Sequence, residues 1–217
     1  MIDLSAIRHQ MVEQQVRAWS VLDLKVLEVM DRVPRDQFVP PHFREVAYAD
    51  MCVPLGYGQS MLAPKVEGRI LQALAIQPQD RVLEVGTGSG YLAACLAQLA
   101  RSVRSIEIVQ ELADTARANL ARSGARSVTV EVGDAMTLTE ESAYDVIAVT
   151  GSLPLYDPRF ERALTEGGRL FVTVGAGPLM DARKVTRTGR SDWAPESLFE
   201  TRIDPLVNAP RPPAFVF

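Results

Sequence analysis

The sequence predicts an α/β domain: a doubly wound, mostly parallel sheet, preceded by a helical extension and closed by a late antiparallel strand pair. Three observations carry this. From Arg81 onward, short β-branched runs alternate with helical runs. The first strand-to-helix turn, LEVGTGSGY (Leu83–Tyr91), is bare with glycine. The segment before it has helical apolar spacing and proline punctuation instead.

The elements follow in order. Leu4, Ile7, Met11 and Val12 recur at helical spacing, and Leu24, Leu27 and Met30 do so again. VPRDQFVPP then breaks the pattern. AYADMCVPLGYGQSMLAP (Ala47–Pro64) reads as a long loop with short extended pieces. A helix is expected from Lys65 to Ala75, with Val66, Ile70, Leu71 and Leu74 inward. RVLEV, SVRSIEIV, SVTVEV, YDVIAVTG and GGRLFVTVG are the expected strands. LAACLAQLA, ELADTARANLARSG and DPRFERAL are the expected helices, the second ending at Gly124. KVTRTGR and SLFETRIDPLV suit the antiparallel pair, and NAPRPPAFVF suits an extended tail.

Composition narrows the function. A chain of 217 residues can bury one substantial core. A net charge of -4 gives no broad attraction to nucleic acid or to an anionic membrane, so neither partner is expected. MIDLSAIRHQMVEQQV has no continuous apolar stretch and does not read as a signal peptide. No window reaches the roughly 18 apolar residues of a spanning helix, so a cytoplasmic location is expected. Cys52 and Cys95 read as two reduced, buried thiols. His9 and His42 lack metal-ligand spacing, and no metal is expected.

Such sheets bind ligands at the C-terminal ends of their strands, where the glycine turn lies. The turn alone fits several nucleotide folds. A dinucleotide would need a small residue at Tyr91 for close helix packing, and Glu84 would face its pyrophosphate with the wrong sign. S-adenosylmethionine removes both conflicts. Backbone N–H groups can meet its carboxylate, while acidic side chains accept from its amino, hydroxyl and amine groups. Acids stand at three successive strand ends: Glu84, Glu107 and Asp134. Glu107 suits the ribose and Asp134 the adenine amine.

VLEVGTGSGY with these acids resembles the class I methyltransferases. QVRAWSVLDLKVLEVMDRVPRDQFVP, AYADMCVPLGYGQSMLAP, YDVIAVTG, GGRLFVTVG and RIDPLV resemble the protein-L-isoaspartate O-methyltransferases, from Met11 to Val207 and in the same order. The resemblance implies a Rossmann-like domain. It implies methyl transfer from S-adenosyl-L-methionine to the α-carboxylate of L-isoaspartyl residues in damaged proteins, leaving S-adenosyl-L-homocysteine. The ester then closes to a succinimide, and hydrolysis returns some normal aspartate. By position, Glu84, Gly86, Thr87, Gly88, Gly90, Glu107, Asp134 and Ala135 would hold the cofactor, with Gln59, Ser60 and Leu62 at the acceptor. Residues 1–78 would form the helical extension and substrate loop, and 79–217 the cofactor-binding part, in one compact monomer.

The sequence departs from the family at three loops. The family's Gly-x-Gly-Gln-Thr-Ile-Ser becomes Gly56-Tyr57-Gly58-Gln59-Ser60-Met61-Leu62, so Leu62 stands at the active-site serine position. GDG becomes Gly133-Asp134-Ala135, and VTAA becomes Val149-Thr150-Gly151-Ser152. Two other functions compete with isoaspartyl methylation: a methyltransferase with another acceptor, and a cofactor-binding module without turnover. A NAD oxidoreductase is disfavoured by Tyr91 and Glu84.

Overall fold

The computed structural model describes residues 3–213. Helix α1 (Leu4–Met11) starts at Asp3, whose carboxylate accepts from the Ser5 and Ala6 amides. It runs on through a π turn and a 3-10 turn to Ser20, whose φ of 64° ends it. Asp23 caps α2 (Leu24–Arg32) in the same way. Met11, Val12, Leu27 and Met30 are buried as core, whereas Leu4, Ile7 and Leu24 on the same spacing face solvent. VPRDQFVPP forms 3-10 turns.

Strands β1 (Val53–Gly56) and β2 (Gln59–Met61) make an antiparallel hairpin turned at Tyr57 and Gly58. Helix α3 (Pro64–Leu74) begins with proline at its first position, where no N–H is needed. Arg169 closes its other end, donating to the Leu74 and Ala75 carbonyls and pairing with Asp80 at 2.6 Å.

The remaining elements are β3 (Arg81–Val85), α4 (Tyr91–Leu99), β4 (Ser102–Glu107), α5 (Gln110–Ser123), β5 (Val128–Val132), β6 (Tyr144–Leu153), α6 (Arg159–Arg162), β7 (Leu164–Val174), β8 (Met180–Gly189) and β9 (Asp192–Thr201). They build one seven-stranded sheet in the order β5-β4-β3-β6-β7-β8-β9. The first five in that order are parallel, and β8 and β9 are antiparallel. The central strand β3 is buried from Val82 to Val85, as a strand covered on both faces must be. The chain moves one way from β3 through β4 to β5, then returns to β3's other side as β6. The glycine turn therefore sits at the topological switch point.

Tyr91 opens α4 and is fully buried. Phe38 packs edge-on against its ring at 5.6 Å, and the Arg35 guanidinium lies 5.0 Å from its centroid. The bulky residue thus docks the N-terminal segment on the sheet domain. Arg35 is itself buried, ion-paired to Glu67, and donates to the Ala47 and Leu62 carbonyls. Removing one partner of such a pair typically costs about 3–5 kcal/mol. It pins the exit of the hairpin to α3.

Three local expectations need correction. DPRFERAL is one helical turn, Arg159–Arg162, because Leu164 already pairs with Tyr144 in the sheet. RIDPLV is not part of the last strand: β9 ends at Thr201, and the chain then crosses the end of β6 through a single bridge, Ser152 to Pro205. Cys52 is exposed, unlike Cys95, and both are free thiols. Asn208–Pro213 has no regular secondary structure. The rest of the tail, Ala214–Phe217, lies outside the described residues. Trp19 is a packing residue, edge-on to Phe199 at 5.7 Å with the Lys65 ammonium above it.

Candidate active site

The glycine turn is held from behind. Thr150, in the second half of β6, donates its hydroxyl to the Val85 and Gly86 carbonyls. That hydroxyl occupies the space a Gly86 side chain would need. Gly88 has φ +54°, and a Cβ there would come within 3.1 Å of Leu55 in the hairpin. Gly90 does a different job. It precedes α4, and a Cβ on it would crowd Leu120 and Ala116 of α5, so its bareness serves helix packing and it lines neither cavity described below.

A cavity of about 300 Å³ opens between this turn and the hairpin. It brings together Gln59, Ser60, Leu62, Gly86, Gly88, Glu107, Asp134 and Ala135. Gln59, Ser60 and Leu62 all reach it from the hairpin and its exit. Glu84 and Thr87 instead line a smaller adjoining space of about 30 Å³, shared with Ser60, Leu62, Gly86 and Gly88.

The three acids differ in state. Glu107 ends β4, and its two oxygens accept from the Gly88 amide at 2.8 Å and the Val109 amide at 3.0 Å. It ties the glycine turn to the neighbouring strand and lines the cavity. Asp134 accepts from the Met136 amide at 2.8 Å and from the Asn208 side chain at 2.9 Å. Glu84 is wholly buried. A hydroxyl chain from Thr87 to Ser105 ends on one of its oxygens. The other oxygen has no partner among the described residues. Burial pushes its pKa up to about 8; the Ser105 hydroxyl opposes the shift and the nearby Glu107 charge adds to it.

The wall opposite the glycine turn is built from the hairpin and from a strap after β9. Ile203 carries the Ser152 hydroxyl on its carbonyl at 2.8 Å, Asp204 accepts from the Ser152 amide, and Leu206 donates back to the Ser152 carbonyl. Leu206 packs so closely on Gly151 that a Cβ there would come within 2.6 Å of it. The VTGS departure therefore has a structural cause: Gly151 makes room for the strap. Leu62 is 9% exposed and packs with Val53, Met61 and Ile203.

The strap and Cys52 are site components that sequence reasoning missed. Arg202, Asp204, Leu206 and Val207 line the cavity from a segment read as strand, and Cys52 lines it from a segment read as loop. Thr150 stood within a quoted motif, but its grip on the glycine turn is visible only in three dimensions.

The profile of the family Protein-L-isoaspartate(D-aspartate) O-methyltransferase (PCMT) matches residues 6–209. The chain belongs to this family. It is 42% identical over 207 residues to the protein-L-isoaspartate O-methyltransferase 2 of Marinobacter nauticus, covering 94% of each chain. It is 43% identical over 190 residues to the protein-L-isoaspartate O-methyltransferase of Methanoculleus marisnigri, covering 87% of this chain and 86% of that one. The fold superposes on a crystal structure of a Plasmodium falciparum beta-aspartate methyltransferase (PCMT) in complex with S-adenosyl-L-homocysteine. The TM-score is 0.81, identity is 21%, and 92% of this chain and 97% of that one are covered. As a member of a family of S-adenosylmethionine-dependent methyltransferases, the chain is an enzyme of the transferase class. Among the described residues no helix is long and apolar enough to cross a membrane.

Proposed function

We propose that the chain methylates the carboxylate of L-isoaspartyl residues in proteins, with residues 79–217 supplying the cofactor side of the cavity and residues 1–78 the hairpin side. The observation that carries this reading is a cavity in which the strand-end acids Glu107 and Asp134 face a hairpin with hydroxyl and amide side chains and no histidine, with Glu84 in the space adjoining it.

The residues fit S-adenosylmethionine chemically. Its ammonium, ribose hydroxyls and adenine amine are all donors, and Glu84, Glu107 and Asp134 are acceptors. Glu84 keeps one buried oxygen without a partner beside the glycine turn, as a group waiting for a donor would. When bound, the cofactor supplies an electrophilic methyl on sulfur. An acceptor carboxylate is already ionised near neutral pH and needs no general base. The chain's task is therefore alignment, which can be worth roughly 7–11 kcal/mol. In this reading Gln59 and Ser60 orient the acceptor, Leu62 excludes water beside it, and Gly86, Gly88, Glu107, Asp134 and Ala135 seat the cofactor. Free Cys52 and Cys95 suit a cytoplasmic enzyme, and we read it as a monomer.

The test is methyl transfer from labelled S-adenosylmethionine to an isoaspartyl peptide, with the matching aspartyl peptide as control. Transfer to the first and not the second is expected. Cofactor binding without transfer to either peptide would mean that the acceptor is another molecule.

A further inference from the structure

We propose that Arg202 is the acceptor-binding cation of this enzyme, a role that rests on the carboxylate-methylation reading and adds a residue to it. The acceptor is an anion, and the cavity wall is otherwise acidic: Glu107, Asp134 and Asp204 line it. Arg202 is the one cationic residue lining it among the described residues.

Position supports the role. The strap runs from the acceptor side of the cavity to the cofactor side. Ile203 packs in the buried cluster of the hairpin residues Val53, Met61 and Leu62. Leu206 and Ala209 pack instead with Ala135 and Met136, and Asn208 bonds Asp134. Arg202 therefore enters at the hairpin end, where Ser60 and Leu62 line the same wall. Its backbone is held in place, because the next two residues are fastened to Ser152 through their carbonyls.

Its side chain is available. No ion pair or hydrogen bond engages the guanidinium among the described residues, although thirteen other ion pairs form among them. Glu107 and Asp134 are engaged by the glycine turn and by Met136 and Asn208. A guanidinium presents a rigid fork that matches a carboxylate, and such charge-assisted bonds are stronger than neutral ones. Leu62 offers no donor in the same wall, so Arg202 supplies the polar contact that an anionic acceptor needs there.

The experiment measures two things on wild type, Arg202→Gln and Arg202→Lys: binding of an isoaspartyl peptide to the enzyme saturated with S-adenosylhomocysteine, and steady-state methylation of that peptide. Arg202→Gln should weaken peptide binding and raise KM roughly ten- to a hundredfold, the loss expected for a hydrogen bond to a charged group. Affinity for S-adenosylhomocysteine should stay within about twofold. Arg202→Lys should recover part of the loss through its charge. Raising ionic strength should weaken the wild type toward the Gln variant and leave the Gln variant unmoved. Wild type that methylates the peptide while Arg202→Gln keeps the same KM overturns the role of Arg202 alone. Wild type that neither binds nor methylates the peptide overturns the carboxylate reading together with it.

Discussion

The two walls of the cavity are made in different ways. The wall we assign to the cofactor comes from consecutive turns of one parallel sheet: Gly86 and Gly88 after β3, Glu107 at the end of β4, Asp134 after β5. Each position is set by the sheet's own geometry, because parallel strands end on the same edge. The wall we assign to the acceptor is assembled from a hairpin near residue 60 and a strap beyond residue 201 that is fastened to β6 at Ser152. Repetition of a simple unit makes the first wall; long-range packing makes the second. The first wall can therefore keep its chemistry while the second changes. Two of the three departures, Leu62 and Gly151, touch the hairpin wall or its strap, and the third, Ala135, lies beside Asp134 on the other wall.

The largest expected effect breaks the cofactor wall. Gly88→Val puts a β-branched residue at φ +54° and pushes it toward Leu55. The variant should stay folded by circular dichroism and show no detectable heat on titration with S-adenosylhomocysteine. Normal binding would mean that this turn is not the cradle.

A smaller effect sharpens the acceptor wall. Leu62→Ser restores a hydroxyl where the family resemblance places one. A hydrogen bond to a charged group is worth about 1.5–3 kcal/mol, or roughly ten- to a hundredfold in rate if felt only in the transition state. Leu62→Ser should raise kcat/KM on an isoaspartyl peptide and lower the melting temperature, since a nearly buried leucine is lost. Ser60→Ala should lower kcat/KM. No response to either change would detach the hairpin from catalysis.

That the glycine turn and the acids Glu107 and Asp134 share one edge was legible in the sequence because the signals are local. A glycine turn after a β-branched run, and acids at successive strand ends, can be found by counting along the chain. Even there, the sequence does not show that a side chain on Gly90 would crowd α5, since a glycine does not say which neighbour needs the space. The split of the acids between two cavities was also hidden, because Glu84 inside the strand and Glu107 at a strand's last residue look alike in one dimension. The strap was missed for a stronger reason. Arg202 and Asp204 reach the site only because Ser152 captures the chain about fifty residues downstream of itself. No local pattern encodes that capture.

The smallest expected effect concerns Glu84. Its folded pKa is raised from 4.5 to about 8, chiefly by burial. A group raised in this way contributes stability that is fully present below the unfolded value and lost as pH rises through the folded one. The melting temperature of the free wild type should therefore fall between pH 5 and pH 8, and Glu84→Gln should flatten part of that fall. An unchanged slope would place the Glu84 carboxyl in a less buried state than this fold gives it.

The separation of the two walls is tested most directly by titrating S-adenosylhomocysteine into Leu62→Ser and into wild type under the same conditions. If the walls act separately, the two dissociation constants agree within about twofold while kcat/KM for the isoaspartyl peptide differs by about tenfold or more. A dissociation constant that shifts as much as kcat/KM would show that the hairpin belongs to the cofactor site, and would contradict the division drawn between them.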